Sequence, residues 1–221
     1  MVTTERARRT TVRRSISPRP WPQCALALGV GLAGGALTSF GQSALTGGWH
    51  ALVNSASPWV TVALLIGMGI PGRWRTAAGV GVLSQLGLVV GYYATSELRG
   101  FAAGMSAVVI WVVAGVVAGP VYGAAGALLT DERRHIRSIA AGVTGSVWVM
   151  EGIRFLSLAT DANSNSGPGK AAGWCYLLVG VLLPLALARS LRERGYALLT
   201  LAAASGAAIV AGLLIDMAFT L

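Results

Sequence analysis

Residues 101–130 read FAAGMSAVVIWVVAGVVAGPVYGAAGALLT, and residues 131–137 continue as DERRHIR. The first stretch carries no charged side chain, whereas the second is almost entirely charged. An α-helix needs about 20 consecutive apolar residues to cross the hydrocarbon core of a bilayer. The two stretches therefore predict a membrane-spanning helix that ends at a charged surface loop.

The composition of the whole chain agrees with this prediction. Of the 221 residues, 54% are hydrophobic and only 11% are charged, whereas soluble domains average about 25% charged residues. This shortage of charge excludes a soluble enzyme, a disordered protein and a secreted disulfide scaffold. The net charge is +9. It does not indicate nucleic-acid binding, because the arginines lie between apolar runs rather than in one basic patch.

The apolar runs predict an all-α bundle of about seven transmembrane helices. They cover residues 21–40, 58–70, 76–94, 101–130, 138–158, 172–188 and 196–219. With a cytoplasmic N-terminus and an outer C-terminus, 14 of the 17 basic residues fall on the cytoplasmic side. Cytoplasmic loops of membrane proteins carry such an excess of Lys and Arg. The basic balance thus predicts the orientation N-in, C-out.

The run at 101–130 is long for one crossing. As a continuous helix it would be ~45 Å long, against a hydrocarbon core of ~30 Å. Two crossings would place Arg133, Arg134 and Arg137 on the outer side, against the charge rule. We therefore expect one kinked or broken helix.

The N-terminal residues differ from the rest of the chain. Residues 1–20 hold six arginines and two prolines and show no apolar periodicity. This pattern predicts a disordered basic cytoplasmic tail. Residues 21–221 then form the transmembrane domain.

The second apolar run is short and follows an uncharged segment, residues 43–57. We expect a short re-entrant or interfacial element there, with Ser57 as N-cap and Pro58 at the first position of helix 2. Short, Gly/Pro-interrupted segments indicate binding sites in transporters. A helix N-terminus that faces a cavity would favour an anionic group. The alternative is a short tilted helix in a locally thinned bilayer.

Glycines recur at spacings of four residues. The pairs and triplet are Gly31/Gly35, Gly87/Gly91 and Gly115/Gly119/Gly123. Such stripes of small residues let transmembrane helices approach closely. They predict tightly packed helix pairs.

Ionisable residues within the membrane are costly, by ~2.5–3.5 kcal/mol on insertion scales, and are often functional. Glu151 and Arg154 lie on one helix face, which Trp148 extends. They indicate a ligand or proton site, and the alternative is a structural Glu151–Arg154 pair. Asp216 is a further candidate for this site, and the alternative is that it is simply solvated near the outer surface.

Further polar and aromatic residues extend this candidate site. The full set is Glu151, Arg154, Trp148, Gln42, Asn54, Trp59, Gln85, Tyr92 and Asp216. Gln85 has an alternative role as a hydrogen-bonding residue between helices. Most members fall in the outer halves of their helices, which predicts an outward-facing polar vestibule.

No catalytic constellation is recognisable. His50 and His135 are predicted on opposite membrane faces, so neither serves a nearby serine nucleophile. Asp216 has no partner Asp, and neither an HExxH motif nor a Walker A motif occurs. Cys24 and Cys175 are predicted at opposite surfaces, too far apart for a disulfide. We expect no catalytic residue, no cofactor and no metal site.

Several short motifs carry a resemblance to a known family. They are Ser39-Phe40-Gly41-Gln42, Leu52-x-Asn54-x-x-Ser57-Pro58-Trp59, Gly119-Pro120-x-x-Gly123 and Glu151-Gly152. In this order, over roughly residues 25–215, the chain resembles a family of uncharacterised bacterial multi-pass membrane proteins. The resemblance implies an integral protein of the bacterial cytoplasmic membrane. More distantly, the chain is similar to substrate-binding components of energy-coupling-factor transporters, which typically have six helices.

The sequence thus favours an integral membrane protein that binds or transports a small solute from the outer side. One alternative is a structural subunit without cargo, which binds a membrane protein partner through its glycine stripes and anionic lipid through its tail. A third hypothesis is a lipid-modifying enzyme. Under each hypothesis we expect the protein to contact membrane lipid and not to bind nucleic acid.

Overall fold

The computed structural model describes residues 21–53, 55–101, 104–161 and 167–220. These residues form eight α-helices and one 3-10 helix, and the described part of the chain has no strand. The helices are α1 (Trp21–Ala44), α2 (Ala56–Met68), α3 (Trp74–Leu98), α4 (Met105–Leu128), α5 (Arg134–Thr144), α6 (Ser146–Thr160), α7 (Gly169–Leu187) and α8 (Leu191–Thr220). The 3-10 helix, Gly47–Val53, precedes α2.

Seven helical segments of the described residues are long and apolar enough to cross a membrane. The 3-10 helix with α2 makes one segment, and α5 with α6 makes another. The predicted all-α bundle of about seven crossings, with a short element before helix 2, is thereby confirmed. The predicted tail at residues 1–20 and Asn54 lie outside the described residues.

The bundle has two chemically different ends. Eight of the ten described arginines lie in the connections from α2 to α3, from α4 to α5 and from α7 to α8 or at the starts of the helices that follow them, and we call this the basic end. The 3-10 helix and the C-terminal ends of α3, α6 and α8 lie at the opposite end. In the loop at the basic end, Arg133 bonds the carboxylate of Asp131 and holds the pKa of that carboxyl below its usual range.

The glycine stripes lie where helices touch. A methyl group on Gly31 would overlap the backbone oxygen of Ser84, and one on Gly91 would overlap that of Leu32. These contacts join α1 and α3 in parallel. Gly119 approaches Gly81 in the same way between α4 and α3. The prediction of tightly packed helix pairs is confirmed, because backbones this close leave no room for a side chain.

The fourth crossing is one uninterrupted helix. α4 has 24 residues and runs through Pro120 without a break, so the prediction of one crossing is confirmed and that of a broken helix is wrong. Residues 101 and 104 and residues 129–130 lie outside the helix. The helix of 24 residues is ~36 Å long, which is sufficient for one crossing of a ~30 Å hydrocarbon core.

The break falls in the next crossing, where a continuous helix over 138–158 was predicted. α5 ends at Thr144 and α6 begins at Ser146. The hydroxyl of Tyr122 accepts a hydrogen bond from the Val147 N–H at 3.2 Å and bonds the Ser146 hydroxyl at 2.8 Å. Gly145 packs directly on the backbone of Gly180. The Tyr122 side chain, on α4, thus accepts from a backbone N–H group that the interruption leaves without its usual partner in the helix.

Buried apolar side chains fill the middle of the bundle, where α2, α4, α5 and α8 meet. They include Val60, Leu64, Tyr122, Ala141 and Ala197. Near the basic end, Arg137 pairs with Glu193 at 2.5 Å, and their side chains are only 7% and 5% exposed. This pair connects α5 to α8. The last helix begins at Leu191, five residues before the predicted start at residue 196.

Candidate solute-binding cavity

A cavity of about 470 Å³ lies at the end opposite the basic end. The 3-10 helix, the start of α2, α4, α6 and the end of α8 all contribute to its wall. Its lining comprises Gly47, His50, Ala51, Ser55, Trp111, Glu151, Arg154, Phe155, Leu158, Gly167, Pro168, Ile215, Asp216 and Phe219. The wall combines charged groups with aromatic and aliphatic ones, as small-molecule sites do.

Glu151 closes the deep side of this cavity by capping α2. Its side chain is buried, and its two oxygens accept hydrogen bonds from the backbone N–H groups of Ala56 and Ser57, each at 2.9 Å. The Ser57 hydroxyl donates a further bond at 2.5 Å. The first N–H groups of a helix have no partner within the helix and carry partial positive charge. A buried carboxylate at this position satisfies them and is itself stabilised.

The predicted N-cap of α2 is therefore wrong. The capping position is Ser55, and its side chain makes no bond to α2; its hydroxyl bonds the hydroxyl of Tyr176 at 3.0 Å instead. Ser57 and Pro58 are the second and third residues of α2, so the prediction of Pro58 at the first helical position is also wrong. Because Glu151 takes over the capping, the preference of this helix start for an anion is met by the protein's own carboxylate.

Arg154 pairs with Asp216 rather than with Glu151. The Arg154 guanidinium lies 2.9 Å from the Asp216 carboxylate, and each side chain is 46% exposed. The alternatives of a Glu151–Arg154 pair and of a merely solvated Asp216 are both wrong. The pair joins α6 to α8 at the rim of the cavity.

An aromatic cluster lies beside the charged wall. The ring of Trp59 packs against Tyr92 at 5.7 Å and Trp111 at 6.0 Å, measured between centroids. With Tyr93 and Ser55 these rings line a smaller cavity of about 60 Å³. Ser55 and Trp111 line both cavities, so the smaller, aromatic cavity adjoins the main cavity.

A comparison with models of protein families shows to which family the chain belongs. The model of a family of unknown function, DUF6518, matches residues 14–218. This chain belongs to the DUF6518 family. The expectation of an uncharacterised family is thereby confirmed. No curated protein and no solved structure matches the chain, and the similarity to energy-coupling-factor components stays a prediction.

In this DUF6518 member, three predicted site residues meet at the main cavity: Glu151, Arg154 and Asp216. Trp59 and Tyr92 line the smaller cavity. Asn54 lies outside the described residues.

The two predicted glutamines support the aromatic cluster. Gln42 donates through Nε2 to the Tyr92 hydroxyl at 2.7 Å. Gln85 donates to the backbone oxygen of Trp59 at 2.8 Å, and its side chain is buried. Gln85 therefore makes the interhelical bond that was its alternative role.

Trp148 is not among the lining residues of the main cavity. Its indole donates to Thr61 Oγ1 at 3.2 Å, and its ring packs on Tyr176 at 4.8 Å. It thus braces α6 against α2 and α7 behind Glu151.

Several lining residues of the DUF6518 cavity were not predicted, notably His50, Trp111, Phe155 and Phe219. The aromatic residues carry no local signal, since apolar rings are expected throughout a membrane helix. In the described residues no group of three His, Cys, Asp or Glu side chains is arranged to hold a metal ion.

Proposed function

We propose that this protein binds or transports a small solute that enters this cavity from the outer side. One observation supports it most: Glu151, Arg154 and Asp216, from two membrane-spanning helices, all line one cavity. Each charge within a membrane helix carries an insertion cost. A cavity that is lined by three such charged side chains is typical of a ligand site.

The charge balance of the cavity restricts the solute. Glu151 is compensated by the start of α2, and Arg154 and Asp216 compensate each other. A solute with a net charge would add an uncompensated charge to a partly enclosed space, which is unfavourable. The wall therefore favours a neutral or zwitterionic solute over a simple anion or cation.

The charge of the loops supports an outward-facing cavity. Most described arginines lie at the basic end, and the cavity lies at the other. Because basic loops favour the cytoplasmic side, we infer that the cavity opens on the outer side of the cytoplasmic membrane.

The test is a ligand screen by thermal unfolding of the purified protein in lipid nanodiscs. The panel comprises amino acids, vitamins, nucleosides and small anions. A ligand at ~100 times its dissociation constant adds about 2.7 kcal/mol to the free energy of unfolding, which raises the melting temperature. We expect shifts from zwitterionic or neutral compounds and none from small anions.

Two neighbouring variants separate cavity binding from binding elsewhere. Ile215→Trp fills the cavity, whereas Leu214→Trp adds the same side chain at an exposed position outside its lining. The shift should disappear in the first variant and persist in the second. Equal loss in both variants would overturn the proposal and favour the alternative of a subunit that binds a membrane protein partner. The same holds if neither the panel nor the zwitterionic amphiphile tested below binds.

A further inference from the structure

The Arg154–Asp216 pair belongs to two spaces at once. Besides the main cavity, both residues line a groove of about 180 Å³ between α6 and α8. The other residues of this groove are Met150, Ile153, Ser157, Ile209, Gly212 and Leu213. The ion pair thus forms a shared wall between the polar cavity and a groove on the flank of the bundle.

The polarity of the groove changes along its length. Arg154, Ser157 and Asp216 lie toward the outer end of the helices. Met150 and Ile209 lie one to two helical turns deeper, about 6–10 Å toward the bilayer centre. A lipid in the outer leaflet has the same order, with its headgroup at the surface and its chain pointing inward.

The apolar part of the groove is open to hydrocarbon. Ile153 and Leu213 are exposed on its rim, at a level where a membrane helix faces lipid chains. Gly212 forms its floor: it is buried, and a methyl group placed there would lie 3.5 Å from the Met150 sulfur. The absence of a side chain at Gly212 leaves the space that a hydrocarbon chain would occupy.

We propose that the solute is a zwitterionic amphiphile, whose headgroup lies in the cavity and whose hydrocarbon chain lies in the groove between α6 and α8. This rests on the proposed function and names its substrate class. The ion pair explains the preference for a zwitterion, since an anionic group can bind Arg154 while a cationic group binds Asp216. A headgroup of one sign would leave one member of the pair without a partner.

The aromatic wall fits the cationic half of such a headgroup. Trp111, Phe155 and Phe219 line the cavity that Asp216 also lines. Aromatic faces attract ammonium groups, and most strongly when water is excluded. The chain would then follow the groove from the ion pair toward Met150, with no polar group to cross.

Three probes separate the two halves of the proposed ligand. Dodecylphosphocholine carries the headgroup and a chain, glycerophosphocholine carries the same zwitterionic phosphodiester headgroup without a hydrocarbon chain, and laurate carries a chain with an anionic headgroup. Binding is measured by isothermal titration calorimetry on the full chain in an amphipathic polymer, below the micellar concentration of each probe. Burial of a few methylenes should make dodecylphosphocholine bind at least about tenfold more tightly than glycerophosphocholine, and laurate should bind more weakly than dodecylphosphocholine.

Two glycine variants of α8 test the place of the chain. Gly212→Leu fills the groove, whereas Gly206→Leu adds the same side chain at an exposed glycine with no neighbour within 4 Å. Gly212→Leu should remove the advantage of dodecylphosphocholine over glycerophosphocholine, and Gly206→Leu should keep it. Asp216→Asn and Arg154→Gln should weaken the binding of both zwitterions.

The outcomes distinguish this inference from the proposed function. Equal affinities for dodecylphosphocholine and glycerophosphocholine, no binding of dodecylphosphocholine, or equal effects of the two glycine variants would overturn the amphiphile proposal. In each case a solute from the soluble panel that binds in an Ile215-dependent manner would leave the proposed function standing. Failure of both the panel and the amphiphiles would overturn both proposals.

Discussion

The carboxylate of Glu151 accepts two hydrogen bonds from Ser57, one from its backbone N–H at 2.9 Å and one from its hydroxyl at 2.5 Å, although 94 residues separate the two. This contact solves two problems within the membrane. The N–H groups at the start of α2 need acceptors, and a buried carboxylate needs donors and positive potential. It also fixes the interrupted second crossing against α6, beside the cavity.

The first prediction concerns this contact. Glu151→Gln replaces one acceptor oxygen by an amide that donates, so at least one donor at the start of α2 loses its partner. An unsatisfied buried donor costs about 1–3 kcal/mol, and Glu151→Ala should cost more. Thermal unfolding in nanodiscs measures the loss. Glu97→Gln, at an exposed carboxylate of the same end, serves as control, and equal melting of Glu151→Gln and wild type would refute the capping role.

The second prediction concerns the interruption at Gly145. Tyr122→Phe removes the hydroxyl that accepts from Val147 N–H and bonds Ser146. We expect a loss of about 1–3 kcal/mol, because a buried backbone donor is left without a partner. The exposed Tyr196→Phe should melt like wild type. If both variants melt together, the hydroxyl of Tyr122 does not stabilise the break.

The third prediction concerns the packing of α1 on α3. Gly31→Ala brings a methyl group into the backbone of Ser84, whereas Gly29→Ala on the same helix meets nothing within 4 Å. Overpacking of a tight contact costs about 1–3 kcal/mol. Alanine at an open helical position instead stabilises by up to about 1 kcal/mol. The two variants should therefore shift the melting temperature in opposite directions, and a parallel shift would contradict the close approach.

The fourth prediction concerns the buried Arg137–Glu193 pair. Glu193→Gln leaves a guanidinium buried without its counter-charge and should lower the melting temperature clearly. Arg137→Met combined with Glu193→Leu should recover most of that loss, because replacement of a whole buried pair is much less costly than removal of one partner. Asp131→Asn, which breaks the exposed pair with Arg133, should change little. A double variant no better than Glu193→Gln would show that the pair itself is needed.

The sequence predicts the parts of this fold that depend on local composition. Apolar runs and the distribution of arginine define the seven crossings, and the spacing of Gly31 and Gly35 defines a packing face. The identity of Glu151 as a costly charge is equally local. Its partner is not, since the donors are backbone groups of Ala56 and Ser57, which no side-chain pattern marks.

The pairing of the remaining charges also depends on tertiary structure. Arg154 lies one turn from Glu151 in sequence, yet it pairs with Asp216 on α8. The break at Gly145 has no signal among 30 glycines, because its stabilising partner, Tyr122, lies on another helix. The sequence therefore indicates three residues of the cavity, Glu151, Arg154 and Asp216, but it does not predict the contacts that bring them together.

Accessibility of Ile215 to an externally added thiol reagent tests the central claim most directly. In a variant with Cys24→Ser and Cys175→Ala, Ile215→Cys places a thiol in the cavity, and Leu191→Cys places one at the exposed start of the same helix, at the basic end. A membrane-impermeant maleimide is added to intact cells, with and without a compound that binds in the screen. An outward-facing solute site predicts that Ile215→Cys is labelled in intact cells and protected by the compound, while Leu191→Cys reacts only after permeabilisation. Labelling of Ile215→Cys only after permeabilisation, or at a rate that the compound does not change, would contradict the claim.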